Sequence, residues 1–357
     1  MKIEAKVIAH SKDHRGNELC TMIVTFPRYI LAELNTHRMF SRNSASSRAI
    51  PFNKMVESVK NNPFIPIAWQ KDHKGMQGTE YITDPNHLQN IIADWLEARD
   101  FAVEAATKLN NGFYNDGTDK VTKQICNRLL EPFMWHTVII TASEFSNFFA
   151  QRCPRYMWGE KEFYYSKKDM LKNHQDSNMG YATDIEWLKV NLGQADIHIR
   201  ALAEAMWDAK NESSPKELKP GEWHIPFGDN INMEKLLDTI HKINGGHINN
   251  ENDTINSLLK ISTARCARIS YTVVGEENKT SNYENDIKLH DRLIKDNHWS
   301  PFEHIAKCMT DVEYTVYING FIGFNSKEVA PDNFGKYPYE GWCRNYRGFI
   351  QYRSLVD

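Results

Sequence analysis

The segment from Leu31 to Arg48, LAELNTHRMFSRNSASSR, holds the highest density of side chains that could do chemistry. It includes three arginines, one histidine, two asparagines and four serines. Guanidinium groups and hydroxyls suit phosphate oxygens and planar carbonyl edges, so the segment could bind an anionic ligand. The donors that argue for this are His37, Arg38, Asn43, Ser46 and Arg48. The alternative is a basic turn in solvent, which is the commoner case for an isolated Arg/Ser run.

A buried element must position this segment, because the run just before it, Val24 to Leu34, is apolar and rich in β-branched and aromatic residues. Further upstream, KVIAH and CTMIVTF predict two strands, separated by a polar turn from Ser11 to Asn17. The segment therefore follows directly from an N-terminal strand pair.

A second candidate block runs from Lys123 to Arg152, KQICNRLLEPFMWHTVIITASEFSNFFAQR. WHTVIIT is β-branched and predicts a buried strand, and SEFSNFFAQR predicts a helix with its phenylalanines at core spacing. Arg128 and Arg152 on such elements need anionic partners, because an unpaired charge in a core is very costly. Structural ion pairs with Glu131 and Glu144 explain these arginines as well as ligand binding does.

Three further helices are predicted around these blocks. The first covers PFNKMVESVKNN. The second runs from Pro85 to Asn111, with Asp84 as its N-cap and Gly112 just past its end. The third, Gly193 to Ala209, is amphipathic, and its His198 is assigned to the helix surface or to a lid rather than to catalysis.

Two regions show no clear periodicity. Residues 154–192 are aromatic and charged and are interpreted as an insertion, either a lid over the site or a subunit contact. Stacking on nucleic-acid bases would need a larger positive excess there. Lys216 to Asn230 is predicted to be a loop, and with Ile243 to Asn256 it bounds the one linker. We expect a single unit over 1–357, made of residues 1–215 and 257–357 joined by a polar loop region, 216–256.

The C-terminal third carries a third block. It contains STARCARISY and then DIKLHDRLIKDNHWSPFEHIA, which predicts a helix followed by His298, Ser300 and Glu303. VEYTVYI, from Val312 to Ile318, predicts a further strand. The fold class is therefore expected to be α/β (α+β), a mixed sheet built from the N-terminal strands, WHTVIIT and this run. The helices that begin at Pro85 and Gln194 should flank it.

Composition bounds the class of protein. With 357 residues, 41% hydrophobic and 25% charged, the chain has room for one large core or two smaller ones. A net charge of -3 argues against a nucleic-acid partner, so an anion site must be local. The six cysteines form no C-x-x-C pair, which argues against a metal site and favours a reducing cytoplasm. No apolar run suggests a signal peptide or a membrane partner.

The three blocks together resemble the motifs of flavin-dependent thymidylate synthases. The family signature is Arg-His-Arg, seven residues, Ser, and Arg two further on. It is matched by Thr36-His37-Arg38, Ser46 and Arg48, with Thr36 in place of the first arginine. ARISY and HWSPFE match motifs that precede the signature in the family but follow it here, which fits circular permutation, as in a long phage-like variant. NYRGFIQYR is a weak echo of the signature and would fit duplication instead.

The resemblance implies reductive methylation of dUMP to dTMP, with methylenetetrahydrofolate as carbon donor, NADPH as reductant and FAD as bound cofactor. It also implies a homo-oligomer, a tetramer in the family, in the cytoplasm or in that of a phage host. The residues implied to bind the nucleotide are Ser46, Arg48, Arg128 and Arg152. Arg152 is in addition the implied catalytic residue, facing the base as negative charge develops there. The residues implied to bind the flavin are His37, Arg38, Thr141, Asn147, His298 and Ser300.

Two departures from the family pattern touch the substrate-binding positions. Glu33 stands where the family often has Gln, and Ser44 stands where it often has Glu. These departures leave hydroxymethylation of dUMP and action on dCMP as open alternatives. For dCMP, a glutamate that faces the base could accept from the exocyclic amine of cytosine. A nucleotide-binding protein without flavin is another. The joint retention of the flavin positions argues against it.

Overall fold

The computed structural model of the protein describes residues 2–75, 78–113, 117–158, 162–174, 183–245, 251–271, 282–316 and 341–357. Within these ranges no helix is long and apolar enough to cross a membrane. The same ranges contain no group of three or more His, Cys, Asp or Glu side chains that could hold a metal ion. The six cysteines are buried free thiols.

The strands are short outside the N-terminal pair and β4. In chain order they are β1 Glu4–Asp13, β2 Glu18–Pro27, β3 Ser41–Ser44, β4 Trp135–Ala142, β5 Tyr156–Trp158, β6 Glu162–Tyr164, β7 Lys216–Leu218, β8 Trp223–His224, β9 Ala306–Cys308, β10 Trp342–Cys343, β11 Tyr346–Arg347 and β12 Phe349–Gln351.

The helices alternate with these strands along the chain. In order they are α1 Leu31–Asn35, α2 Phe52–Asn61, α3 Pro85–Asn111, α4 Lys123–Cys126, α5 Ser146–Arg152, α6 Lys167–Asn173, α7 Asp184–Val190, α8 Ile197–Glu212, α9 Met233–Ile243, α10 Glu251–Arg268, α11 Tyr283–Lys295, α12 Asp311–Val316 and α13 Arg353–Val356.

The main sheet has the strand order β3-β4-β2-β1-β7. β1 and β2 form an antiparallel hairpin, as the two apolar runs predict. β4 pairs antiparallel with both β2 and β3, so β3, which belongs to the Leu31–Arg48 segment, lies at one edge of the sheet. β7 joins β1 in parallel at the other edge. The predicted mixed sheet is confirmed.

Helices cover both faces of the main sheet. On one face, Phe26 of β2 packs in a core with Phe148 of α5 and Leu202 of α8. On the other face, Ile139 of β4 packs with Leu259 of α10. Successive residues of a strand point to opposite faces, so β4 supplies both cores. The α/β class with a sheet flanked by helices is confirmed.

The predicted helices α2, α3 and α8 are present. α2 and α3 end within one residue of the expected positions, whereas α8 begins and ends a few residues later than the predicted Gly193 to Ala209. Asp84 caps α3 by accepting from the backbone N–H of His87 at 2.8 Å, and Gly112 follows with φ +79°, a conformation that favours glycine. α3 packs with α2 and the Asn127–Phe133 turn, in a second core that includes Met55 and Val103. This second core supports the segment that leads into β4.

The insertion at residues 154–192 has structure of its own. Its described residues form the β5–β6 hairpin and the helices α6 and α7 around Tyr156, Met170 and Trp187. It docks on α8, because Glu204 accepts from the Tyr156 hydroxyl at 3.1 Å and from the backbone N–H of Lys167 at 2.8 Å. The expectations of a lid or a subunit contact stay predictions.

The expected strand at Val312 to Ile318 is wrong for its described part, because residues 312–316 lie in α12. Thr310 and Glu313 cap this helix reciprocally: the Thr310 hydroxyl accepts from the backbone N–H of Glu313 at 3.2 Å, and the carboxylate accepts from the backbone N–H of Thr310 at 2.9 Å. The β-branched residues that suggested a strand are overridden by this cap. Residues 317 and 318 lie outside the described residues.

The expected loop at Lys216 to Asn230 is also wrong. It contains β7 and β8, and the surrounding region 216–256 includes α9 and the start of α10. β7 pairs with β1 across the chain, and β8 pairs with β9. These pairings depend on residues that are distant in the sequence. The prolines and glycines of this stretch therefore suggested a loop where two short strands form.

Candidate active site

The Leu31–Arg48 segment, which we call the signature segment, turns from β2 into β3. A 3-10 turn, Arg28–Ile30, leads into α1, and β3 then returns along β4. Leu34 and Phe40 are buried in the core of the main sheet. Arg42 donates to the carbonyl oxygen of Leu34 at 3.0 Å and so satisfies an open carbonyl at the end of α1. The apolar residues thus fix where the polar ones lie.

His37 and Arg152 form a hydrogen bond at the end of α5. Nε of Arg152 donates to Nε2 of His37 at 2.9 Å, and Nη2 donates to Oγ1 of Thr36 at 3.4 Å. Burial, followed by the charges of Arg152 and Arg42, lowers the pKa of His37 to about 4. His37 is therefore neutral near pH 7 and accepts through Nε2. Its ring packs edge-on against Phe148, with ring centroids 4.8 Å apart.

Arg152 has no carboxylate partner among the described residues. Glu144, the acid of the ion-pair interpretation, accepts instead from the backbone N–H of Ser146 at 2.6 Å. Arg152 lines a cavity of about 320 Å³ together with Arg155 and Gln194. A half-buried guanidinium that is oriented by neutral groups and faces a cavity favours an anionic ligand. The ion-pair interpretation is therefore wrong for Arg152.

Asn43 joins the signature segment to both motifs of the C-terminal third. Its Nδ2 donates to the carbonyl oxygen of Cys266 at 2.7 Å, and its Oδ1 accepts from the hydroxyls of Ser270 at 3.1 Å and Ser300 at 3.4 Å. The backbone N–H of Ser46 donates to the carbonyl oxygen of Ser270 at 2.8 Å. The sequence placed Asn43 among the donors to an anionic ligand, but its amide is buried and donates within the fold. Its position on the buried side of β3, alternating with Ser44, was the available clue.

Ser46 and Arg48 lie at the C-terminal end of the signature segment, and Arg128 lies in the Asn127–Phe133 turn. Both arginines are exposed. Nε of Arg48 donates to the side chain of Gln124 at 3.2 Å, and its backbone N–H donates to Oγ of Ser46 at 3.3 Å. Arg128 lies 3.9 Å from the carboxylate of Glu131. The expected ion pair of Arg128 is therefore present, although long and exposed.

Glu131 is the centre of a network that the sequence did not reveal. Its Oε1 accepts from Ser47 at 3.0 Å and from Nη2 of Arg28 at 3.5 Å. Nη1 of Arg28 donates to Nε2 of His136 at 2.8 Å. Burial, with the charge of Arg28 as a second cause, lowers the pKa of His136 to about 3. This network ties the signature segment to the start of β4.

Glu33 and Ser44, the two departures from the family pattern, are half-buried. One carboxylate oxygen of Glu33, Oε2, is buried and has no hydrogen-bond partner in the described part of the chain. Ser44 pairs with Val138 at the end of β3. Glu33 therefore offers an unused acceptor, whereas Ser44 shows no comparable feature.

The expected flavin-binding residues fall into three groups. Arg38, Asn147 and His298 are exposed, and no hydrogen bond to their side chains is found within the described ranges. Ser300 is exposed and bound to Asn43, and His37 is bound to Arg152.

Thr141 differs from the other expected flavin-binding residues because it is fully buried. Its hydroxyl is hydrogen-bonded to Thr21 at 2.7 Å and to Nδ1 of His304 at 2.8 Å. The structure does not bring Thr141 to the surface near Arg152. Its contact with a flavin stays a prediction.

His198 is buried, so its assignment to the helix surface is wrong. Its Nδ1 lies 3.1 Å from Asp196 and contacts the Tyr29 hydroxyl, and its Nε2 accepts from the backbone N–H of Ile67 at 3.2 Å. His198 holds the residue 67 region against α8. A single histidine near a helix N-terminus does not indicate, from the sequence alone, whether its ring is buried.

The C-terminal echo of the signature, NYRGFIQYR, lies against the signature segment itself. Nδ2 of Asn345 donates to the carbonyl oxygen of Met39 at 2.9 Å and to Oγ of Ser41 at 3.1 Å. Nε2 of Gln351 also donates to Oγ of Ser41, at 3.3 Å. The echo therefore supports β3, and permutation or duplication stays open.

No family model matches the chain, and no curated protein matches it. The fold is similar to crystal structures of the UMP/dUMP methylase PolB from Streptomyces cacaoi, bound with 5-Br UMP or with 5-Br dUMP. The first is 14% identical, has a TM-score of 0.39 and covers 59% of this chain and 89% of that chain. The second is 12% identical, has a TM-score of 0.40 and covers 59% and 90%. A likeness this partial assigns neither an activity nor site residues.

Proposed function

We propose that the chain is a flavin-dependent thymidylate synthase, which converts dUMP to dTMP with methylenetetrahydrofolate and NADPH through FAD. The observation that carries the proposal is Arg152, because it faces a cavity, is oriented by neutral His37, and has no carboxylate partner among the described residues. Asn43 adds support, because it joins the signature segment to both motifs of the third block, which resemble this family.

In this proposal Arg152 binds the pyrimidine base. A guanidinium that donates towards the base carbonyls stabilises the negative charge that develops when carbon 5 becomes nucleophilic. His37 keeps Nε of Arg152 occupied, so Nη1 is free to reach the ligand. Ser46, Arg48 and Arg128 bind the nucleotide phosphate, since both arginines are exposed and the ion pair of Arg128 with Glu131 is long, at 3.9 Å.

The exposed donors fit a flavin cofactor, which is rich in hydrogen-bond acceptors. Arg38, Asn147 and His298 have no hydrogen bonds to their side chains within the described ranges and are free to donate to phosphate or ring oxygens. FAD supplies hydride transfer when bound, and the protein supplies orientation and electrostatics. Ser300 is held in place for this by Asn43.

The decisive experiment is the visible spectrum of the purified protein, without and with added FAD, before and after anaerobic addition of NADPH. We expect an oxidised-flavin spectrum that NADPH bleaches, and release of tritium from dUMP labelled at carbon 5 when methylenetetrahydrofolate is present. The variant Arg152→Gln should keep the flavin spectrum and lose turnover. A colourless protein that takes up no FAD would rule the proposal out.

A second candidate is the same chemistry on dCMP, and Glu33 favours it. Its buried Oε2 has no partner in the described residues and could accept from the exocyclic amine of cytosine. Turnover measured side by side with dUMP and dCMP decides between the two. Glu33→Gln should reduce activity with dCMP more than with dUMP if this candidate is correct. Turnover of dUMP alone would eliminate it.

A further inference from the structure

A row of five buried polar side chains crosses the main sheet. The Ser11 hydroxyl lies 2.8 Å from Nδ1 of His224, whose Nε2 lies 2.8 Å from the Thr21 hydroxyl. Thr21 lies 2.7 Å from the Thr141 hydroxyl, which lies 2.8 Å from Nδ1 of His304. Ser11 is 5% exposed, and the other four are completely buried. These hydrogen bonds connect β1, β2 and β4 to the segment that carries HWSPFE.

The hydrogen bonds of this row depend on one another. Each threonine hydroxyl has one proton and can donate to one neighbour only. If His224 carries its proton on Nδ1, Thr21 must donate to Nε2 of His224, so Thr141 must donate to Thr21. Nδ1 of His304 must then carry the proton that it donates to Thr141. The combination of a proton on Nδ1 of His224 and on Nε2 of His304 leaves the bond between the threonines without a proton.

His304 lies at the end of this row and next to a candidate site residue. It follows the 3-10 turn Ser300–Glu303, and Ser300 is the residue that donates to Asn43. Nδ1 of His304 is bound to Thr141, whereas Nε2 is buried without a partner in the described part of the chain. The bond through Nδ1 therefore ties the turn that carries Ser300 to the central strand β4.

We propose that His304 is a positioning residue for this turn, held through Nδ1 by a row that couples its tautomer to that of His224. A proton on Nδ1 of His224 therefore requires the proton of His304 to be on Nδ1 as well. Only the consequence for ligand binding, the placement of Ser300, rests on the proposed function. The coupling of the two histidines does not.

The coupling is tested by nitrogen-15 NMR of histidine-labelled protein, with assignments from His224→Phe and His304→Asn. We expect two neutral rings at pH 7, and Ser11→Ala should change the ring shifts of His224, and those of His304 as well if the wild-type His224 carries its proton on Nδ1. The matched control is Ser213→Ala, which removes the hydroxyl 3.1 Å from Nδ1 of the neighbouring His10 and leaves the row intact. The forbidden tautomer combination, in the wild type or in Ser11→Ala, would overturn the coupling.

The positioning role is tested by two substitutions of His304. The amide of Asn lies near the place of Nδ1, whereas the amide of Gln reaches towards Nε2. Because Ser300 is assigned to the flavin, we expect His304→Asn to keep the FAD affinity within about threefold and His304→Gln to lose about tenfold, the scale of one hydrogen bond. Equal behaviour of the two variants would contradict the role.

Thr141→Ser and Thr141→Val repeat the test without changing the histidine, in case neither His304 variant folds. Ser keeps the hydroxyl that bonds Nδ1, and Val removes it, so only Val should weaken FAD binding. Equal FAD affinity in these two variants would count against the positioning role. If the wild type itself binds no FAD, the proposed function fails, and the NMR experiment still decides the coupling.

Discussion

Two sites with hydrogen-bonded histidines, His37 with Arg152 and the row from Ser11 to His304, differ in how their polar groups are satisfied. Arg152 is half-buried beside a cavity, and its charge has no carboxylate partner in the described residues. In the row, the side chains are neutral and buried. Among the described residues, Nε2 of His304 is the one buried polar atom of the row that has no hydrogen-bond partner.

This difference distinguishes a group that binds a ligand from groups that stabilise the fold. An arginine without an acid is costly in the free protein, and an anionic ligand offsets that cost, so such a group marks a ligand site. A satisfied network of neutral groups gives the fold a unique arrangement and offers little to a ligand. Changes at Arg152 should therefore affect ligands, and changes in the row should affect stability first.

The largest effect is expected for Arg152→Gln. Removing a donor aimed at developing charge lowers turnover of dUMP by about a hundredfold or more, whereas the free energy of unfolding should change by less than about 0.5 kcal/mol. Steady-state kinetics and urea unfolding measure the two effects. Arg292→Gln, an exposed arginine on α11, is the control and should change neither. A large loss of stability would place Arg152 with the supporting residues.

Thr141→Val should have the next largest effect, and on stability. The substitution leaves the Thr21 hydroxyl and Nδ1 of His304 with one partner fewer in the core, and each unsatisfied buried group costs about 1–3 kcal/mol. Thr141→Ser keeps the hydroxyl and loses one methyl group, at about 1 kcal/mol. Urea unfolding of both variants gives the comparison. If Val is as stable as Ser, the row contributes nothing to the fold.

The sequence predicts the main sheet and its helices well where the information is local. The apolar runs of β1 and β2, the β-branched run of β4 and the caps of α3 are all readable from neighbouring residues. The strand predicted at α12 is wrong because a capping pair outweighs the β-branched residues. The loop predicted at β7 and β8 is wrong because the partners of these strands are distant in sequence.

The candidate site was predictable only in part, for the same reason. Residue types and spacing selected His37 and Arg152, but only the fold shows that they bond to each other and that Glu144 is not the partner. Thr21 is an ordinary strand residue in the sequence, and Thr141 was selected there only by the resemblance, as a flavin contact. Their place in a row with two histidines depends on the register of β2 and β4, which the sequence does not specify.

Acidification should destabilise the fold through three of its buried histidines. Burial lowers the pKa of His136, His224 and His304 to about 3, well below the value of about 6.5 in an unfolded chain. Because the fold keeps these rings neutral, their contribution to stability is complete above about pH 6.5 and is lost as the pH falls towards 3. Each ring contributes a slope of about 1.4 kcal/mol per pH unit in this window.

Urea unfolding at a series of pH values between 6.5 and 4 measures this slope. His304→Asn removes one of the three rings, so its slope should be smaller than that of the wild type by about 1.4 kcal/mol per pH unit. His87→Asn, which replaces an exposed histidine on α3, is the control and should leave the slope unchanged. An unchanged slope in His304→Asn would mean that His304 is not held neutral by the fold.

The smallest effect is expected for Arg128→Gln, which tests whether an arginine with a carboxylate nearby contributes less to binding than Arg152. Arg128 is exposed and already lies 3.9 Å from Glu131, so part of its charge is neutralised before a ligand binds. An exposed pair of this kind is worth about 0–1 kcal/mol, and we expect nucleotide affinity to fall by less than about tenfold. Calorimetric titration with dUMP at low and high salt measures the loss, which salt should reduce because the site is open to solvent. A loss as large as that of Arg152→Gln would show that the missing carboxylate partner is not what distinguishes Arg152.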